Sequence, residues 1–212
     1  MKGLKFMKKN DINKLIDTLR KTYPDAKCSL DFTTPFQLVV AVCLSAQCTD
    51  ERVNLTTPAL FQKYKTIEDF ANCDLDELET LIHPCGFYKN KAKNIKKCAN
   101  QILENFGGEV PSNMEDLVTL AGVGRKSANV IMLEVFGNAQ GVAVDTHCKR
   151  ISNRLGLSKE SDPTKIELDL IKKFPAETLK DVNHLFIYFG RDICIARNPK
   201  CEQCPLRKFC KS

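Results

Sequence analysis

The stretch Thr119–Ile131, "TLAGVGRKSANVI", sets two glycines and an Arg-Lys pair directly before a nearly all-apolar run. Three readings compete for it. A phosphate-binding P-loop needs four residues between its first Gly and the Gly-Lys pair, whereas Val123 alone separates Gly122 from Gly124, and Arg125 stands before Lys126. A dinucleotide fingerprint needs a third Gly or Ala where Ser127 stands and a strand in front, yet the preceding "SNMEDLVTL" has helical spacing. Helix, tight glycine turn, helix remains. Such a turn presents bare backbone N–H groups beside the positive end of the next helix dipole, a place for one phosphate of a nucleic-acid backbone. An ordinary helix-helix connection shares the pattern.

Outward from this turn the chain reads as helix after helix. "NDINKLIDTLRKTYP" carries Ile12, Leu15, Ile16 and Leu19 at helical spacing, with Asn10 or Asp11 as cap and Pro24 as stop. "TTPFQLVVAVCLSAQ" opens on a Thr34 cap with Pro35 at the first helical position, and its length favours a buried helix over a central strand. Further starts are expected at Thr49 or Asp50, at Thr66, at Asp74 and, through the pattern Ser112-x-x-Glu115, at Ser112. Between Phe87 and Phe106 one helix offers Lys89, Lys93, Lys96 and Lys97 to solvent and Ala92, Ile95, Ala99 and Ile102 to a core. Past a glycine-flanked link after Phe136, Asp145 reads as a cap and Gly156 as a stop, with two more helices over residues 162–174 and 176–189. No segment alternates like a half-buried strand, so the expected fold class is all-α.

The 212 residues, 43% of them hydrophobic, suffice for one core or two small ones. A net charge of +6 suits a polyanionic partner without requiring one. The basic N-terminus is followed by no secretory apolar run, and no run of membrane-spanning length occurs, so a cytoplasmic protein away from membranes is expected. With no long heptad visible, the expected state is a monomer. Eleven cysteines in such a chain point to metal binding and buried thiols. Four of them, Cys194, Cys201, Cys204 and Cys210, follow the spacing C-x6-C-x2-C-x5-C and can surround one metal centre, zinc and an iron–sulfur cluster being equally suited. Arg197, Lys200, Arg207 and Lys208 would make the loop basic. The other seven, Cys28, Cys43, Cys48, Cys73, Cys85, Cys98 and Cys148, read as buried thiols.

Lys126 is the candidate nucleophile. A lysine amine with its ordinary pKa of about 10.4 is protonated and inert. The neighbouring Arg125, the start of a helix and partial burial would each favour the free amine. Asp145, after the apolar "VAV" and before a helix, can cap that helix and also serve as a carboxylate partner.

Taken in order, "LSAQCTD" (44–50), "CGFYKNKAKNI" (85–95), "LAGVGRKSANV" (120–130), "VAVDTH" (142–147) and the tail Cys194–Cys210 resemble the endonuclease III family of bifunctional DNA glycosylases over nearly the whole chain. The resemblance implies two helical domains with a DNA-binding cleft between them. One is a six-helix domain with a helix-hairpin-helix over residues 28–138. The other is a helical domain over 1–27 and 139–212, in which Cys194, Cys201, Cys204 and Cys210 hold a [4Fe-4S] cluster. It implies base excision repair on double-stranded DNA carrying an oxidised or ring-saturated pyrimidine or an abasic site. Lys126 would attack C1′ and form a Schiff base, Asp145 would assist, and β-elimination would cut on the 3′ side. Gly122, Gly124, Arg125 and His147 would meet DNA, while Gln47 and Phe87 would fill the gap left by the flipped base.

Two positions depart from the family pattern: Ala121 where proline is commoner, and Ser127 for threonine. A sister family that removes adenine opposite oxidised guanine lacks the hairpin lysine. A non-catalytic DNA-binding or redox-sensing protein would need neither Lys126 nor Asp145.

Overall fold

Short polar side chains start the helices by accepting backbone N–H groups that the first turn leaves unpaired. Thr34 accepts from Gln37, Thr49 from Arg52, Asp74 from Glu77 and Asp162 from Lys165, while Thr66 and Asp69 form a reciprocal capping box. In the computed structural model, which describes residues 9–210, these starts generate an all-helical chain with no strand among the described residues. The helices are α1 (Lys9–Thr22), α2 (Pro35–Ser45), α3 (Asp50–Lys63), α4 (Ile67–Asn72), α5 (Leu75–Ile82), α6 (Tyr88–Phe106), α7 (Met114–Leu117), α8 (Arg125–Phe136), α9 (Thr146–Arg154), α10 (Pro163–Lys173) and α11 (Leu179–Asp192). The basic run at residues 1–8 and the last two residues lie outside the described part.

The chain divides into two units, one running from Ser29 to Phe136 and the other combining the chain up to Cys28 with Gly137 onward. The continuous unit is organised around α2, whose residues Phe36 and Leu38 to Leu44 are all buried. At roughly 1.5–3 kcal/mol for each large apolar side chain removed from water, this helix is the unit's main hydrophobic anchor. In the other unit Ile12, Leu15, Ile16 and Leu19 of α1 pack with Ile151 of α9 and Val182, Phe186 and Phe189 of α11 in one core. Leu206, fully buried in that core, pins the cysteine-rich loop to it.

Several local expectations shift. α1 is already under way at Lys9, so Asn10 and Asp11 sit within its first turn and do not cap it. α7 is capped by Asn113 and not Ser112, because Asn113 with Asp116 offers the same reciprocal chemistry one residue later: Asn113 accepts from the Asp116 N–H and donates its amide to the Asp116 carboxylate, both at 2.8 Å. Lys96 is not merely solvated, since its ammonium donates to the Cys73 carbonyl at 2.7 Å. Among the seven cysteines outside the tail, Cys28 and Cys48 are only half-buried.

The hairpin between α7 and α8 is closed by the Val123 N–H donating to the Leu120 carbonyl at 3.0 Å. Gln101 of α6 clamps it from outside: the side-chain oxygen accepts the Ala121 N–H at 2.8 Å and the amide donates to the Thr119 carbonyl at 3.1 Å. A proline at position 121 has no N–H to give, so Ala121 exchanges a stiff turn for a tie to α6. Gln101→Ala is therefore expected to lower stability by about 1–2 kcal/mol, the worth of two such bonds. Urea unfolding would read this as a lower midpoint at constant slope; an unmoved midpoint would show the clamp to be dispensable.

Candidate functional site

The two hairpin glycines differ in what they are for. Gly122 has φ +82°, and a Cβ there would lie 3.1 Å from the Cys43 sulfur and 3.2 Å from Asn94, so both the backbone and the packing demand glycine. Gly124 has open space around it, and its φ is not in the left-handed region. The protein by itself does not need glycine there. A bare backbone beside the exposed Arg125 and Lys126, at the start of α8, suits the close approach of a phosphate oxygen.

Lys126 is exposed, in contrast to the partial burial expected from its apolar neighbours. The reason is rotational: α8 buries the face carrying Ala128, Asn129, Ile131 and Met132, which leaves the Lys126 side outward. Any desolvation of the amine has to be supplied by what binds over it.

Gln47 and Phe87 occupy left-handed backbone at φ 54° and φ 49°, a conformation uncommon for residues other than glycine and costly by about 1–3 kcal/mol each. Gln47 lies in the turn after α2 and is exposed. Phe87 precedes α6, makes no capping bond and is 65% exposed, so it is not a core residue. A bulky ring held outward on a strained tip is a feature that packing does not explain.

In the other unit α9 organises three groups. Asp145 caps it through Oδ1, which accepts the Cys148 N–H at 2.7 Å and leaves the carboxylate half-buried at the helix start. His147 stands 3.1 Å from the Arg150 guanidinium through Nδ1. Burial holds the His147 imidazole below its ordinary range, with Asp145 opposing and Arg150 and Arg191 assisting, so the ring is neutral at pH 7. Gly190 of α11 makes this possible, since a Cβ there would fall 2.5 Å from His147 Nδ1. At its far end, Arg154 donates to the Cys194 sulfur at 3.3 Å, to the Ile195 carbonyl at 2.8 Å and to the Ala196 carbonyl at 3.0 Å.

Among the described residues no three His, Cys, Asp or Glu side chains converge as ligands of a single ion do. Instead Cys194, Cys201, Cys204 and Cys210 line a cavity of about 140 Å³ walled by Arg154, Phe189 and Ile193. That is the space of several water molecules and suits a polynuclear core. Burial pushes the Cys204 thiol up despite the favouring Leu206 N–H, and the three neighbouring sulfurs push the same way. Four thiolates can share this space only around a cationic centre, so the donor set fits iron–sulfur ligation. Arg197, Lys200, Arg207 and Lys208 are all exposed on the loop, and Lys200 is paired with Asp192 at 3.2 Å.

The structure thus gathers Gln47, Phe87, Gly122, Gly124, Arg125 and Lys126 in one unit and Asp145, His147 and the four tail cysteines in the other. Sequence reasoning missed Gln101, Arg150, Arg154, Gly190 and Lys91. For Lys91 a signal existed: it occupies the buried face of α6 with Ile95, Cys98 and Ile102, where a charge is out of place.

Comparison with known proteins gives one answer. Residues 40–176 match the model of the HhH-GPD superfamily of base excision DNA repair proteins, and residues 194–210 match the iron-sulfur binding domain of endonuclease III. The chain is 52% identical over 205 residues to endonuclease III of Synechocystis sp., covering 97% of this chain and 94% of that one. It is 47% identical over 197 residues to endonuclease III of Bacillus subtilis, covering 92% and 90%. A solved structure described as a trapped endonuclease III–DNA covalent intermediate superimposes with a TM-score of 0.91 at 42% identity, covering 97% of each chain.

The unequal glycines yield a direct expectation. Gly122→Ala should cost about 1–3 kcal/mol through strain and crowding, whereas Gly124→Ala should stay within about 0.5 kcal/mol of the wild type. Equal losses in thermal unfolding would contradict the distinction.

Proposed function

Because this chain belongs to the endonuclease III family, a bifunctional DNA glycosylase and AP lyase of base excision repair, we propose that Lys126 is its nucleophile and Asp145 the carboxylate that assists it. The observation that carries the assignment is the position of Lys126, in the first turn of α8 beside a glycine hairpin whose Gly124 no internal packing requires.

The substrate is duplex DNA holding an oxidised or ring-saturated pyrimidine, or an abasic site. C1′ is out of reach inside the base stack, so the damaged nucleotide is turned out of the helix. The side chains of Gln47 and Phe87 enter the gap, where the flat apolar ring of Phe87 meets the unstacked neighbours. Gly122, Gly124 and Arg125 hold a backbone phosphate at the start of α8, and His147, as a neutral donor or acceptor, adds a further DNA contact.

Bound DNA covers the exposed Lys126 amine and removes water from it. The Lys126 nitrogen attacks C1′, the base leaves with the bonding electrons, and the opened sugar is held as a Schiff base. Asp145 accepts a proton from the amine and stabilises positive charge at the sugar, using the carboxylate whose Oδ1 also caps α9. Loss of a 2′ proton then expels the 3′ phosphate by β-elimination.

Cys194, Cys201, Cys204 and Cys210 hold a [4Fe-4S] cluster, which when bound supplies cross-linking of the loop and no atom to the bond-breaking step. The loop's exposed cations serve the DNA backbone. No described helix is long and apolar enough to cross a membrane. The working form is a cytoplasmic, nucleoid-associated monomer on chromosomal DNA.

Strand cleavage of an abasic duplex under single-turnover conditions tests the assignment. Lys126→Ala should lose about 10³-fold or more and Asp145→Asn about 10²-fold, with duplex affinity within a few-fold of the wild type. Undiminished cleavage by Lys126→Ala would remove the lysine from the chemistry.

A further inference from the structure

Lys91 is a lysine in a core. It is 6% exposed on α6, and its ammonium donates to the Leu44 carbonyl at 2.7 Å and to the Cys85 carbonyl at 2.9 Å. Its backbone N–H donates to the Phe87 carbonyl at 3.2 Å. Leu44 lies in the last turn of α2, where carbonyls have no partner within the helix and a cation is favoured by the dipole. Cys85 ends the short 3-10 turn His83–Cys85, and Gly86 at φ +68° and Phe87 follow it.

The side chain therefore joins two backbone segments far apart in sequence, each leading within a few residues to a left-handed tip: Leu44 to Gln47 and Cys85 to Phe87. Burial lowers the Lys91 amine's affinity for its proton, and Cys48, Cys85 and Cys43 counter this in part. A buried amine facing carbonyls is expensive to keep, and an apolar residue on the same face of α6 would pack without that cost. Hydrogen bonding to two separate carbonyls is what an apolar residue cannot supply.

We propose that Lys91 is a positioning residue that fixes the spacing and attitude of the Gln47 and Phe87 tips, so that both enter the vacated base stack together. This rests on the reading of those two residues as gap fillers. Lys91 touches neither substrate nor Lys126 in this scheme; it acts through the two tips alone.

The role makes a distinction that loss of stability does not. Filling a vacated stack matters in duplex DNA and has no counterpart in a single-stranded oligonucleotide with one abasic site. Single-turnover cleavage of the two substrates by cluster-loaded enzyme is the measurement, for the wild type, Lys91→Met, Lys91→Gln and Phe87→Ala. Lys91→Met should lower the duplex rate tenfold or more and the single-strand rate less than twofold. Lys91→Gln, which keeps an N–H donor but is one bond shorter, should show the same selective loss to a smaller extent and serves if the methionine variant does not fold. A 2-aminopurine opposite the lesion should lose the fluorescence rise that stack opening gives the wild type.

Phe87→Ala separates the two ideas. If it shows the selective loss and folded Lys91 variants slow both substrates equally, or neither, the positioning role is overturned while the gap-filling reading stands. If Phe87→Ala shows no duplex selectivity, the gap-filling reading itself fails and takes the Lys91 proposal with it.

Discussion

Burial of α2 is the constraint from which the continuous unit takes its form. With Phe36 and Leu38 to Leu44 all inside, the helix cannot shift without exposing this run of apolar side chains. Its last turn then becomes a fixed platform. The Cys43 sulfur lies 3.6 Å from the Gly122 carbonyl of the hairpin, and burial pushes that thiol up to about 12, so it packs as a neutral group. One residue on, the Leu44 carbonyl receives Lys91. The hairpin, the Gln47 tip and the Phe87 tip are all referred to one buried helix end, which is how an apolar core comes to set the geometry of a polar surface.

The other unit uses the same device with different chemistry. A single short helix, α9, has a carboxylate at its start and two arginines that reach the first cysteine segment, Arg150 through the Cys194 carbonyl at 3.0 Å and Arg154 through the sulfur and the carbonyls beyond. The iron–sulfur loop is thereby tied to the element that presents Asp145 and His147. Strain is concentrated where function is expected: among the described residues the non-glycine left-handed positions are Gln47, Phe87 and Asn198, two of them the tips and the third within the cysteine loop.

What the sequence made legible was chemistry acting over three or four residues. Caps at Thr34, Thr66, Asp74 and Asp145 and the glycine turn follow from bonds between near neighbours, and the cysteine spacing is confined to one short stretch, so each could be read without knowing the fold. Asn113 displaced Ser112 because two good caps stood side by side and Asn113 makes the reciprocal pair with Asp116. What Gln101, Lys91 and Gly190 hold was out of reach for a different reason. Their partners are a hairpin 18 and 20 residues away, a helix end 47 residues away and an imidazole 43 residues away, contacts that exist only once the helices have packed. The exposure of Lys126 belongs with these, since which face of α8 turns outward is decided by its neighbours and not by its own sequence.

Under the proposed mechanism that exposure leaves desolvation of the Lys126 amine to the DNA that covers it. The most direct test of the central claim is to trap the reaction intermediate on an abasic duplex with borohydride, digest the adduct and locate the modified residue by mass spectrometry. The expected result is a reduced sugar adduct on the peptide containing Lys126 and on no other lysine. An adduct at a different amine, with Lys126 unmodified, would contradict it.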